Sequence, residues 1–235
     1  MSRLQRVLAC FSIGLVGWIG SAHAGNRYEE KIEASRQAYL RLLEVDDRRV
    51  PERLLEQTRC IAILPKVVKG AFIWGGRRGQ GVMSCRNDED VWSPPAFVKI
   101  TGVGFGLQAG AQLTDLVLFI MTDKGARSLM KSKFILGGDV TVAAGPVGRS
   151  AEASTDLRFQ AEVYAYARSR GLFAGISIEG AQLSVYQRWI EGYYGTRLWP
   201  EDILFEHKVP NLPLEAKTLM SVFPTSSRAE VATEP

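Results

Sequence analysis

The sequence has few of the residues that metal-dependent and acid–base catalysis require. It contains two histidines, and the first, His23, lies in an N-terminal segment that we expect to be removed. A single remaining histidine excludes a His–His metal pair and leaves any Ser-His-Asp triad dependent on His207. The chain also lacks a G-x-S-x-G elbow and an H-E-x-x-H motif. We therefore expect no enzyme and no cofactor, with an enzyme that uses His207 as the catalytic alternative.

Complete nucleotide-binding motifs are missing as well. Residues 104–109, GFGLQA, satisfy a relaxed dinucleotide fingerprint, but no βαβ unit surrounds them. Residues 143–150, AAGPVGRS, contain no lysine at the position where a phosphate-binding loop needs one. Neither glycine-containing stretch therefore predicts a nucleotide site.

The sequence has no apolar run as long as the roughly 20 residues that a membrane-spanning helix needs. Its N-terminus has two arginines, an apolar segment from Val7 to Ile19 and a final Ala-His-Ala. These features predict a cleaved export signal over residues 1–24. We therefore expect an exported protein of the periplasm or cell envelope. A retained anchor and a lipid-modified Cys10 are the alternatives.

Neither sign of charge is in clear excess. Without the two arginines of the predicted signal, 27 of the 29 basic side chains remain against 25 acidic ones, a net charge of +2. This balance supplies no overall attraction to nucleic acid, so we expect no nucleic-acid partner. Any anion binding must come from local clusters of basic residues.

Cysteines are also scarce. Cys60 and Cys85 are the two that remain after the predicted signal. An oxidising compartment and an even count favour a disulfide between them. Two buried free thiols are the alternative, because a sequence does not fix the distance between the two Cα atoms.

An amphipathic helix is predicted over residues 26–46. Its apolar positions recur at steps of three and four residues. They are Tyr28, Ile32, Ser35, Tyr39 and Leu42, with Ala38 and Leu43 beside them. The other face carries charges of both signs, whereas membrane-surface helices usually have a predominantly basic polar face. Packing against a protein core is therefore the favoured interpretation of this helix. A short second helix is predicted behind Pro51.

From Cys60 onward, short apolar or alternating segments are bounded by Gly, Pro, Asp and Asn, a pattern typical of strands. Helices are expected near residues 123–133 and behind Pro200. The fold class is α+β, with N-terminal amphipathic helices packed on a mainly antiparallel, glycine-rich β-sheet or partly closed barrel. Gly102, Gly104 and Gly106 would lie on one face of a strand, where another backbone can approach closely.

Local positive charge is the remaining chemical signal. Lys66 and Lys69 flank a predicted turn, and Arg77 and Arg78 lie in the next one, GGRRGQG, at the other end of the short strand GAFIW. Arginines beside glycines can offer guanidinium groups and free backbone N–H groups to a phosphate. The alternative is that the glycines serve turn geometry and the arginines only solubility.

Several segments, taken in order along the chain, resemble the SYLF-domain family. They are CIAILPKVVKGAFIWGGRRGQGVMSC, DLVLFIMTDKGARSLMKSKFILGGDVTVAAGPVGR, GLFAGISIEGAQL and YYG followed by EDIL. The resemblance extends from Tyr28 to Phe205 and suggests an exported, bacterial-type member. We expect one domain of this kind over residues 25–207 and a partly disordered tail over residues 208–235, because the composition from Pro224 onward is polar.

The same resemblance implies a lipid-binding module. Phosphoinositides are the best-known ligands of eukaryotic members of that family, and some of those members also bind actin filaments. Carried over by motif, the lipid-binding residues would be Lys66, Lys69, Arg77 and Arg78, with the helix from Tyr28 to Leu43. This chain has Ile190 where the family often has Asn five residues before the glycine of the final YG.

The expected function is therefore that of a non-catalytic lipid-binding protein of the cell envelope. It would contact anionic, phosphoinositide-like headgroups through its basic turns and its amphipathic helix. The alternative is a structural or assembly protein that forms homo-oligomers or docks a protein partner.

Overall fold

The computed structural model describes residues 26–44, 50–71, 75–104, 110–128, 134–147, 160–169, 172–176 and 178–225. The predicted export signal, residues 1–24, and the end of the tail, residues 226–235, lie outside the described residues. Within these ranges the helices are α1 (Asn26–Leu43), α2 (Glu52–Gln57), α3 (Asp123–Ser128), α4 (Gln187–Tyr194), α5 (Pro200–Leu204) and α6 (Leu214–Met220).

The described strands form one sheet. They are β1 (Cys60–Ala71), β2 (Gly75–Cys85), β3 (Ala96–Gly104), β4 (Gly110–Ile120), β5 (Phe134–Ile135), β6 (Val142–Ala144), β7 (Val163–Ser169), β8 (Leu172–Gly175) and β9 (Gln182–Val185). Their order is β5-β9-β3-β2-β1-β4-β7-β6, and β8 also pairs with β7. The pairing is antiparallel except between β6 and β7, which are parallel. The predicted α+β class with a mainly antiparallel, curled sheet is confirmed.

Helix α1 packs against the sheet with the face that its periodicity predicts. Tyr28, Ile32, Tyr39 and Leu42 are buried, and Ser35 is buried among them. The Ser35 hydroxyl donates to the Lys31 carbonyl at 2.8 Å, which satisfies the polar group inside the packed face. The helix lies against β1, β2, β4 and α6. Packing against the protein core, the favoured interpretation of this helix, is therefore confirmed.

The first two strands are joined covalently as well as by their hydrogen bonds. Cys60 and Cys85 are register partners at the ends of β1 and β2, and a disulfide links them with a Cα–Cα distance of 4.0 Å. The predicted disulfide is present. It ties the first residue of β1 to the last residue of β2, the two central strands of the sheet.

A β-bulge interrupts β1 and explains part of the glycine pattern. The register of β1 shifts between Ile63 and Val68 against β2 and between Leu64 and Val67 against β4, and Lys66 has a positive φ of 53°. The bulge presses the β1 backbone toward β2. A Cβ at Gly81 would lie 1.9 Å from the Ile63 carbonyl oxygen, and a Cβ at Gly79 would lie 2.6 Å from Val67 Cγ2. These two glycines therefore accommodate a bulge within paired strands.

The region after Gln182, which the sequence leaves ambiguous between strand and helix, contains both. Strand β9 ends at Val185, and α4 begins at Gln187. Gly195 closes α4 with a left-handed φ of 69°, a conformation that glycine adopts at low cost. The sequence motif YYG is therefore a helix C-terminus.

The segment expected to be a tail contains part of the core. Helix α6 packs against α1. Beyond it, the Phe223 ring lies 5.4 Å from the Tyr39 ring and 4.9 Å from the Trp92 ring, measured between centroids. The Trp92 indole N–H donates to the Pro224 carbonyl at 2.7 Å. Residues up to about Pro224 therefore help to close the domain.

Candidate functional site

The structure places the four predicted lipid-binding residues together at one end of the sheet. Lys69 and Arg77 are register partners across β1 and β2, and Arg78 is the partner of Val68. Lys66 lies in the β1 bulge nearby. We call Lys66, Lys69, Arg77 and Arg78 the basic end.

The sequence predicts one turn at Lys66 and Lys69 and a second at Arg77 and Arg78, at opposite ends of a strand GAFIW. Both predicted turns are wrong. Strand β1 continues past Lys66 and Lys69 to Ala71, and β2 begins at Gly75 and contains both arginines. The sequence suggested turns because Pro65 and the glycines are common turn residues. Here they form and accommodate a bulge, so the strands continue and the basic residues become cross-strand neighbours.

Strand alternation divides the basic end between the two faces of the sheet. Side chains of successive strand residues point to opposite faces, and register partners share a face. Lys69 and Arg77 line a cavity on one face. Arg78 and its partner Val68 therefore point to the other face. On that face α1 is anchored to β4 by an ion pair between Arg41 and Asp115, 3.0 Å apart.

The cavity has a volume of about 420 Å³ and is lined by β1, β2, β4, β7, β8 and the residue after β8. Its polar side chains are Lys69, Arg77, Gln112, Thr114 and Ser169. Its apolar wall consists of Val67, Leu116, Ala167, Ala174 and Ile176. The volume lies in the range of roughly 300–1,000 Å³ that is typical of small-molecule pockets.

Positive charge at the cavity is not neutralised by the described residues. Arg77 is half-buried, and burial lowers the pKa of its guanidinium below the ordinary value of 12.5. The group stays charged at neutral pH because an arginine pKa starts so high. In the described part of the chain, no carboxylate pairs with Arg77 or Lys69.

A hydrogen-bonded pair joins two strands of the cavity wall. The Gln112 amide Nε2 donates to Ser169 Oγ at 2.7 Å, and that hydroxyl donates to the Leu113 carbonyl at 3.2 Å. Gln112 is also the register partner of Lys69. Arg77, Lys69 and Gln112 thus form one polar row across three adjacent strands. Reasoning from sequence missed Gln112, Thr114 and Ser169, which belong to no recognisable motif.

On the opposite face, the basic end adjoins exposed apolar side chains. Val68 is 43% exposed and its register partner Leu113 is 59% exposed. Arg78 and Lys66 are exposed beside them. We call Lys66, Val68, Arg78 and Leu113 the helix-side surface, because α1 packs on the same face of the sheet.

Helix α1 adds a further cation to this surface. Lys31 is half-buried, and its pKa is lowered first by burial and then by the positive charge of Lys66. Asp115 is an acid on the same face, but one of its carboxylate oxygens accepts from Arg41 and the other from the Lys66 backbone N–H at 3.0 Å. The apolar face of α1 lies in the core, so only its polar side is open to a ligand.

His207 is the residue of the catalytic alternative. It is half-buried with a positive φ of 52°, and its buried Nε2 has no hydrogen-bond partner among the described residues. Among the described residues, no group of three or more His, Cys, Asp or Glu side chains could hold a metal ion. Within the same ranges, no helix has both the length and the apolar character needed to cross a membrane.

Comparison with known proteins gives one family match. The sequence model of the Ysc84 family, described as "Las17-binding protein actin regulator", matches residues 101–225. The chain is 36% identical over 160 residues to SH3 domain-containing YSC84-like protein 1 of Bos taurus, covering 68% of this chain and 47% of that protein. It is 37% identical over 161 residues to Protein YSC84 of Saccharomyces cerevisiae, covering 67% of this chain and 34% of that protein.

A second yeast protein, LAS seventeen-binding protein 3, is 37% identical over 161 residues, which cover 67% of this chain and 35% of that protein. The chain thus spans about half the length of the curated animal relatives and about a third of the yeast ones. The family model begins within β3 and extends to Thr225, the last residue that the structure describes.

Proposed function

The chain belongs to the Ysc84, or SYLF-domain, family, and from that premise we propose that it is a non-catalytic protein that binds anionic phospholipid headgroups with its basic end. One observation carries the proposal. The four cations of the basic end gather within a short stretch of two paired strands, and no described carboxylate forms an ion pair with them.

Two arginines elsewhere in the domain differ in this respect. Arg59 contacts both Asp88 and Asp123, at 2.6 and 2.8 Å, and Arg36 contacts Glu33 at 2.7 Å. Their charge is compensated locally. An uncompensated cluster instead creates a positive potential that attracts anions.

The helix-side surface suits a membrane better than it suits a soluble anion. It combines the cations Lys66 and Arg78 with the exposed apolar side chains of Val68 and Leu113. The cations would meet phosphate groups, while the apolar pair would enter the boundary between headgroups and acyl chains. Lys31 of α1 would add charge from the polar side of the helix.

Vesicle co-sedimentation tests this proposal. We expect binding to phosphatidylglycerol vesicles and not to phosphatidylcholine vesicles, with loss of binding as salt is raised. The double variant Lys66→Gln/Arg78→Gln should bind anionic vesicles at least about 10-fold more weakly, since each lost cation costs about 1 kcal/mol near a charged membrane.

The matched control is Lys124→Gln/Lys217→Gln, which removes two exposed charges from α3 and α6. It has the same net charge as the test variant and should bind like the wild type. Equal losses in the two variants would mean that only net charge matters. Equal binding of the wild type to phosphatidylglycerol and phosphatidylcholine vesicles would contradict the electrostatic mechanism.

We propose an exported, envelope-associated location for this activity. The disulfide between Cys60 and Cys85 supports an oxidising compartment. In fractionated cells, the native protein should resist a thiol-reactive polyethylene glycol maleimide until it is reduced. Labelling without reduction, or recovery with cytosolic markers, would contradict this location.

A protein partner is the second candidate function. The family description and the name of the yeast relative LAS seventeen-binding protein 3 both refer to binding of another protein. Light scattering after size-exclusion chromatography, over a range of protein concentrations, distinguishes self-association from vesicle binding. A strict monomer that binds anionic vesicles would count against an assembly function.

A further inference from the structure

We propose that the cavity is a second binding site, separate from the helix-side surface, for a small amphiphilic anion. Arg77 and Lys69 would hold its phosphate or carboxylate group, and the apolar wall would hold a short hydrocarbon portion. The inference does not depend on membrane binding, because the cavity and the helix-side surface lie on opposite faces of the sheet.

The polar row supports an anion in this position. Arg77 and Lys69 are register partners, so their side chains leave neighbouring strands on the same face. A guanidinium can donate two parallel hydrogen bonds to a phosphate or carboxylate, and a lysine ammonium adds a mobile charge. Gln112, the register partner of Lys69, supplies further hydrogen-bonding capacity beside them.

The electrostatics favour an anion over a neutral ligand. Burial already removes part of the water around Arg77, as the lowered pKa of its guanidinium indicates. An uncompensated, half-buried cation is costly, and an anion would recover part of that cost. The described residues offer no carboxylate to do so, which leaves the position open to a ligand.

The remaining wall supports an apolar portion of limited size. Val67, Leu116 and Ile176 line the cavity away from the charged row, with the small side chains of Ala167 and Ala174 leaving space between them. A volume of about 420 Å³ is near the lower end of the range for ligand pockets. It suits an anion with one short chain better than a complete two-chain phospholipid.

Calorimetric titration with octyl phosphate, below the concentration at which it forms micelles, tests the proposal. We expect saturable binding with one ligand per chain. Arg77→Gln should weaken the binding at least about 10-fold, because it removes a charge-assisted hydrogen-bonding pair. Arg78→Gln is the matched control, since it removes the same charge from the next residue, which points to the other face. It should bind octyl phosphate like the wild type.

Two further sets of measurements test which parts of the ligand are recognised and whether the ligand binds in the cavity. Octanol lacks the anion and inorganic phosphate lacks the chain, so both should bind at least about 10-fold more weakly than octyl phosphate. Ala174→Leu keeps both cations but adds three carbon atoms at the apolar wall, and it should weaken octyl phosphate binding. If Arg77→Gln fails to fold, as judged by circular dichroism, Lys69→Gln replaces it with the same expectation.

Equal effects of Arg77→Gln and Arg78→Gln would overturn the cavity site, as would undiminished binding by Ala174→Leu or no binding by the wild type. If inorganic phosphate bound as tightly as octyl phosphate, the proposal that the cavity also holds a hydrocarbon portion would be wrong. Vesicle binding by the same variants separates this inference from the proposed function. Loss of vesicle affinity in Arg78→Gln, with octyl phosphate affinity retained, would support two distinct sites.

Discussion

Arg77 combines a proposed role in ligand binding with an expected cost in stability. Its guanidinium is half-buried against apolar wall residues and has no carboxylate partner among the described residues. Arg78, the next residue, is exposed on the opposite face. Two adjacent arginines, equivalent in the sequence, therefore differ in solvation and in the ligands they can meet.

Replacement of Arg77 by methionine should stabilise the fold. The change removes a partly desolvated charge and keeps most of the side chain's apolar volume, so we expect the free energy of unfolding to rise by about 1 kcal/mol. Arg78→Met, on the exposed face, should change it by less than about 0.5 kcal/mol. Urea denaturation of both variants checks this, and a destabilised Arg77→Met would show that the cation is compensated in the fold.

His207 should make the stability depend on pH. Burial, the larger effect, lowers its pKa below the ordinary value of 6.5, while Glu89 and a hydrogen bond with the Leu204 backbone act in the opposite direction. The unfolded chain therefore binds the proton more tightly. The stability that this residue contributes is complete above its ordinary pKa and is lost as the pH falls through that value toward the folded-state pKa.

The variant His207→Asn tests this dependence, because asparagine tolerates the positive φ of 52° at this position. Between about pH 7 and about pH 5, the wild type should lose more free energy of unfolding than the variant. Denaturant titrations at several pH values measure both. Parallel losses in the two proteins would exclude a contribution from this imidazole.

At the scale of elements, the β1 bulge and the glycines of β2 form one unit. The bulge brings the Ile63 carbonyl toward β2, and Gly81 leaves room for it. Beyond the bulge, the β1 side chains return to a regular alternation that brings Lys69 opposite Arg77. The register of the proposed cavity site therefore depends on glycines several residues away from it.

Gly81→Ala should disrupt this unit. Its Cβ would lie 1.9 Å from the Ile63 carbonyl oxygen, which is backbone and cannot rotate away. We expect a loss of about 3 kcal/mol in the free energy of unfolding. Gly70→Ala is the matched control, since nothing lies within 4 Å of its Cβ position, and it should change stability by no more than about 1 kcal/mol. Similar thermal midpoints for the two variants would contradict the account of the bulge.

At the scale of the whole molecule, the C-terminal segment completes the core that begins with α1. Phe223 is buried against Tyr39 and Trp92, although it lies directly before a proline and a polar segment. Residues near the two ends of the described chain, in α1 and around Phe223, therefore pack in the same core. The basic end, where we propose that ligands bind, therefore lies on a sheet that is packed against both ends of the domain.

Phe223→Ala should therefore cost about 3 kcal/mol in stability, as truncation of a buried aromatic side chain usually does. Leu214→Ala, at a position that is 72% exposed in α6, should cost less than about 0.5 kcal/mol. Both can be measured by urea denaturation. An equal and small loss of stability in the two variants would contradict the conclusion that the segment around Phe223 is part of the core.

The elements that the sequence predicts well are those with strong local patterns. The three- and four-residue spacing of α1 specifies its buried face, from Tyr28 to Leu42, because helical geometry alone places those residues together. The apolar runs of β1, β4 and β7 likewise predict buried strands. The even number of cysteines and the expected export favour a disulfide between Cys60 and Cys85, and that disulfide is present in the structure.

The sequence alone determined that this is an α+β chain with an N-terminal amphipathic helix, an antiparallel sheet and a basic stretch between residues 66 and 78. Only the tertiary structure decided that the basic stretch is two paired strands instead of two turns, and that its cations divide between two faces. The physical reason is that turn propensity is local, whereas strand register depends on partners far along the chain. One bulge at Lys66 sets which side chains share a face, and no local pattern encodes that choice.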